Sequence, residues 1–172
     1  EMVKQRKRKC ATYHLTPQKF DKQIDRIETD GLVWLPIQWT KNYEGFSHYH
    51  LPTTPGDPES SCYGVLSWDK EFADAFRGAS NTFDVDHATI GHLLGFPDCC
   101  ISFFNNVWCK GYCDPIWQAA MNTESKEIIS DTHVRVHGSP FTYQHLRYCG
   151  FRITSHLPHS FDCQATIEVG KQ

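Results

Sequence analysis

Residues Gly91–Cys100 read GHLLGFPDCC, and the fold turns on how that stretch is punctuated. Asp86 to Leu94 carries a helical pattern, Gly95 is its natural stop, and Pro97 is placed to open a new helix. In that new helix Ile101, Phe104 and Trp108 fall at i, i+3 and i+7, the expected core face. Asp98, Cys99 and Cys100 then occupy its first turn. Unpaired N–H groups and the positive end of the helix dipole favour a thiolate there.

Upstream, Thr16-Pro17 reads as a cap and first helical residue, with Phe20, Ile24 and Ile27 on one face of a helix over 17–28. Leu32 to Leu35 reads as a buried strand, with Trp39 continuing its layer, and Tyr63 to Leu66 as a second. The Pro- and Gly-bearing stretch from Lys41 to Ser61 reads as a loop. Ser67 is expected to cap a helix that runs to Arg77, buries Phe72 and Phe76, and closes on Gly78. Downstream, Asp114-Pro115 precedes a helix expected over 116–129, and THVRVH (132–137) alternates as a strand. Tyr143–Tyr148 reads as helical, Phe151–Thr154 as a strand, and Ser160 as the cap of a last helix through Val169. The sum is a helix-rich α+β domain over 16–172 with a few short strands, preceded by an arm over 1–15.

The 172 residues are enough for a real core, and 40% hydrophobic with 22% charged residues is ordinary globular composition. A net charge of −3 makes no overall case for nucleic acid or a membrane. No apolar run approaches the ~20 residues of a spanning helix, and none reads as a signal-peptide h-region. The basic run KQRKRK (4–9) is a solvated arm or, in the functional reading, a phosphate-contacting one.

The eight cysteines and ten histidines are the unusual feature. Adjacent cysteines rarely pair with each other, so a reducing, cytoplasmic setting with metal-bound thiols is expected in preference to a disulfide framework. SHLPHSFDC (155–163) crowds His156, His159 and Cys163 together, and with Ser160 as cap Cys163 also falls in a first helical turn. Three readings follow. Cys99, Cys100, Cys163 and one or both of His156 and His159 converge on a metal; one adjacent cysteine is a nucleophile with a histidine base; or the thiols are small buried hydrophobes. Cys109 with Cys113, and His48 with His50, are weaker ligand pairs. His87 and His92 are too far apart for one helix face, and Cys10, Cys62 and Cys149 read as structural.

Gly95-Phe96-Pro97-Asp98-Cys99-Cys100, taken with His156-Leu157-Pro158-His159-Ser160-Phe161-Asp162-Cys163, resembles a prokaryotic group, the domain of unknown function 483. The resemblance spans about residues 90–165 and implies no particular reaction. One departure is informative: His159 stands where the group's pattern has cysteine. A metal site tolerates that exchange, because both side chains are ligands, whereas a disulfide does not.

The sequence thus predicts a metal centre built from Cys99, Cys100, His159 and Cys163, with His156 next in line. An iron–sulfur cluster or non-haem iron is expected if the protein is an enzyme acting on a small molecule, a modified amino acid or a nucleobase, with His92 or Asp98 as proton carrier. Zinc is expected if the site holds the fold together, with a nucleic-acid-binding module as the alternative function.

Overall fold

The computed structural model of the chain describes residues 1–42, 50–57, 59–81, 83–111, 114–143, 146 and 154–172. The fold is α+β, with short antiparallel strands in two small sheets, and it divides into two compact units, Glu1–Gly95 and Phe96–Gln172. The sequence reading has one domain after the arm. The division falls at Gly95, whose φ of +72° suits a residue without a Cβ and ends the helix before it.

In the first unit, strands β1 (Cys10–Leu15), β2 (Val33–Asn42), β3 (His50–Pro52) and β4 (Ser60–Ser67) form an antiparallel sheet in the order β1-β4-β2-β3. Alternation along the strands sends side chains to opposite faces. Cys10 and Val65 pack with Ala73, Phe76 and Leu93 on one face, and Leu15, Trp34 and Cys62 pack with Ile27 on the other. The helices supplying those partners are α1 (Phe20–Thr29), α2 (Lys70–Ala79) and α3 (His87–Leu93). Pro36, with no N–H for the ladder, sits where the β2–β4 register shifts.

Residues 10–15, read as the end of a basic arm, are strand β1. The run before them is also held: Lys4 pairs with Asp30, Arg6 lies over Trp68, Lys9 over Phe72, and the Trp68 indole N–H donates to the Arg8 carbonyl. Ser67 is not a helix cap. It ends β4 with its hydroxyl on the Lys9 carbonyl, and Asp69 caps α2 by accepting from the Glu71 N–H. Gly78 lies inside α2, and Ser80 closes it. The stretch read as a loop contains β3, and residues 43–49, with His48, lie outside the described residues.

The second unit begins with α4 (Asp98–Phe103), which runs into a π-helical turn over Phe104–Trp108. The wider turn, closed by the Cys109 N–H on the Phe104 carbonyl, rotates the expected core face. Phe103 is buried instead of Phe104, and Trp108 is 48% exposed. Helix α5 (Pro115–Asn122) ends before the expected 129. Thr123 leaves it in an extended conformation, and β5 (Lys126–Ser130) pairs with β6 (His133–Val136) as a hairpin. A 3-10 turn at Pro140–Thr142, capped by the Ser139 hydroxyl, follows, and α6 (Gln164–Gly170) ends the chain. Phe103, Ala119, Ala120 and Phe161 form this unit's core. The helix read over 143–148 and the strand read over 151–154 lie mostly outside the described residues.

No helix among the described residues is long and apolar enough to cross a membrane.

Candidate metal centre

The second unit brings its two cysteine-bearing stretches together. Pro97 does not itself open α4 as a helical residue; it is the residue before, in an extended conformation, and its carbonyl accepts the N–H groups of Cys100 and Ile101. Cys99 and Cys100 are therefore still in the first turn, Cys99 exposed and Cys100 buried.

The second stretch is shifted from its expected position. Ser160 does not cap α6; Cys163 does, its sulfur accepting from the Thr166 N–H at 3.4 Å. The helix cannot begin earlier because the backbone of Phe161 is already engaged. Its N–H donates to the Thr123 hydroxyl (3.0 Å), and its carbonyl accepts from the Thr142 hydroxyl (2.7 Å) and the Ser139 N–H (3.1 Å). Asp162 accepts from the N–H groups of Glu124 and Ser125, and Asn122 donates to the His159 carbonyl. Burial raises the Asp162 carboxyl, but those N–H groups and the Ser160 hydroxyl outweigh it and hold the acid below its ordinary range. Gly138 lets this loop close in: a Cβ there would meet the Phe161 carbonyl oxygen at 2.5 Å.

Held this way, Cys99, Cys100, His159 and Cys163 each present one donor atom, all within 4.8 Å of one another, and the group can hold a metal ion. Cys99 Sγ lies 3.9 Å from both Cys100 Sγ and Cys163 Sγ, and Cys100 Sγ lies 3.8 Å from Cys163 Sγ. The His159 Nδ1 faces this triangle, 3.7 Å from Cys100 Sγ, while its Nε2 is 3.5 Å from the Ser160 hydroxyl. An imidazole with one nitrogen toward the donors and the other on an oxygen is oriented as a ligand.

Without a metal the three thiols do not ionise alike. The Cys100 thiol donates to Cys163, and with the hydroxyl and N–H of Thr166 this holds Cys163 well below an ordinary thiol despite its burial. Cys100 is pushed up by that same donation and then by burial. Burial, and after it the charge on Cys163, raises Cys99. Cys163 is therefore the thiol that ionises most readily, and Cys99 and Cys100 give up their protons less readily.

His156 is buried but is not one of the donors. Its Nε2 is 2.9 Å from the Thr166 hydroxyl, and Phe96 lies against its ring. Asp98 is exposed at the first position of α4, and His92 is exposed on α3 of the first unit; neither belongs to the donor group. Cys109 is exposed with its thiol on Asn105, and Cys113 and Cys149 lie outside the described residues. Cys10 and Cys62 are buried in the first unit's cores, where burial raises both thiols. Sequence reasoning missed Thr166, whose hydroxyl reaches both Cys100 and Cys163. Its one sequence signal is its place three residues after Cys163, the position a cap residue addresses. Comparison with family models, curated proteins and solved structures returns no match, so the donor set itself carries the functional reading.

Proposed function

We propose that the chain is a zinc-stabilised protein in which one Zn²⁺ is held by the sulfurs of Cys99, Cys100 and Cys163 and by Nδ1 of His159. The observation that carries this is the spacing of the donors. Zinc with Zn–S bonds of about 2.3 Å and a Zn–N bond of about 2.0–2.1 Å has tetrahedral edges of about 3.8 Å between sulfurs and about 3.6 Å from sulfur to nitrogen. The three sulfur–sulfur pairs at 3.8–3.9 Å and the Cys100 Sγ–His159 Nδ1 pair at 3.7 Å match those edges, and the other two sulfur–nitrogen pairs lie within 4.8 Å. An iron–sulfur cluster distributes its thiolates over several irons and spreads them wider than a single ion's edge.

Four protein donors complete a tetrahedron and leave no position for substrate, which supports a structural ion over a catalytic one. The ion then ties the start of α4 to the start of α6. The two stretches behind the resemblance to the domain of unknown function 483 supply all four donors, with His159 as the ligand that departs from its pattern. The competing enzyme reading, with iron and a small-molecule substrate, needs an open coordination position. A nucleic-acid role for the basic run has less support, because Lys4, Arg6 and Lys9 are already engaged within the first unit.

Elemental analysis of the purified chain, followed by hydrogen exchange with and without a strong chelator, tests this reading. One zinc per chain is expected, and its removal exposes amides of residues 96–172 to exchange while β1, β2 and β4 stay protected. Iron in its place, or no metal with unchanged exchange, contradicts the proposal.

A further inference from the structure

Thr166 has a single hydroxyl proton and three close neighbours. Its Oγ1 lies 3.3 Å from Cys163 Sγ, to which it donates, 3.3 Å from Cys100 Sγ, and 2.9 Å from His156 Nε2. Thr166 is fully buried and His156 is 5% exposed, so water does not take the place of these contacts. The Thr166 N–H also points at Cys163 Sγ. Three thiolates and a neutral imidazole on one Zn²⁺ leave the site with net negative charge, and two of those sulfurs, Cys100 and Cys163, are buried. Such charge is stabilised by hydrogen bonds from groups whose own orientation is fixed.

The structure supplies that orientation. With its proton on sulfur, Thr166 Oγ1 has only lone pairs to offer His156, so Nε2 must carry a hydrogen and donate it. Phe96 packs 5.0 Å from the imidazole, ring centroid to centroid, and confines it. As ligands to a cation both sulfurs are acceptors, and the Thr166 Oγ1 lies 3.3 Å from each. Cys99, exposed at the rim, has no such contact with Thr166.

Resting on the zinc reading above, we infer that Thr166 and His156 are positioning residues of the metal centre: His156 orients the Thr166 hydroxyl, and that hydroxyl carries part of the charge of the Cys100 and Cys163 thiolates. The pair sets how tightly the ion is held and how strongly the two buried sulfurs donate to it. Loss of such an orienting partner lowers metal affinity by about 10–100-fold.

Zinc affinity is measured by chelator competition for the full chain and for Thr166→Val, Thr166→Ser and His156→Leu, and each is then loaded with Co²⁺ for its thiolate charge-transfer spectrum. Valine keeps the shape and removes the hydroxyl, so Thr166→Val should bind zinc about 10–100-fold more weakly, with its charge-transfer band moved to lower energy. Thr166→Ser should restore both, and His156→Leu should change both in the same direction as valine. Wild-type affinity and spectrum in Thr166→Val overturn the inference and leave the zinc reading intact. A wild-type chain that binds neither ion overturns the zinc reading itself. The unmutated chain loaded with ¹¹³Cd²⁺ provides a test independent of variant folding. A slowly exchanging Thr166 hydroxyl proton coupled to the cadmium supports the inference, and a freely exchanging, uncoupled one contradicts it.

Discussion

Cys163 does two jobs with one sulfur: it accepts the Thr166 N–H as the cap of α6, and it stands within ligand distance of Cys99 and Cys100. The jobs separate in Cys163→Ser. Serine is a good helix cap, so helix content of the metal-free chain, followed by far-UV circular dichroism, should barely change. Zinc affinity should fall by more than the ~100-fold that loss of an orienting partner costs, because a ligand itself is gone. Helix loss that accounts for the weaker binding would contradict this division. The cysteines and His159 were legible from ligand chemistry and from the position of each stretch. His159 was ranked ahead of His156 only from the pattern of the resemblance, whereas the turn of the loop decides which imidazole faces the sulfurs and which meets Thr166.

At the scale of elements, the site depends on a loop held from both sides. Gly138→Ala forces a Cβ against the Phe161 carbonyl and the Tyr143 ring, so the loop from His159 to Cys163 must shift. Zinc affinity should drop about tenfold or more, and isothermal titration against the wild type checks it. In the first unit, Asp86 caps α3 by accepting from the Thr89 hydroxyl and N–H, and the hydroxyl contact is the main reason its carboxyl lies below its usual range. A depressed carboxylate contributes stability that is present above its unfolded pKa of about 3.9 and is lost as pH falls through the lower folded value. Unfolding followed in steps below pH 5 should therefore show a smaller acid-dependent loss in Asp86→Asn than in the wild type. An equal loss would mean that the cap's charge contributes nothing.

The elements that sequence reading placed well are those marked by local chemistry: the Thr16-Pro17 start, the Gly95 stop and the alternating strand read over 132–137 and found at His133–Val136. The misplaced ones were decided by distant partners. Thr123 leaves α5 to meet Phe161, Ile128 and Ile129 join a hairpin that mixes poorly with a helical pattern, and the π-helical turn moves Trp108 outward.

At the scale of the whole molecule, the chain solves two packing problems separately. The first unit sandwiches a four-stranded sheet between helices, with a core on each face. The second has short helices, a two-stranded hairpin and a small core, the situation in which small folds recruit a staple. The boundary at Gly95 was readable as a helix stop, but a stop alone does not tell a turn within one domain from the end of a unit. X-ray absorption at the zinc edge of the purified chain reads the metal and its ligands directly. One zinc with three sulfurs at about 2.3 Å and one nitrogen at about 2.0–2.1 Å is expected. A shell of oxygen and nitrogen alone, a metal–metal distance, or no zinc in the protein would contradict it.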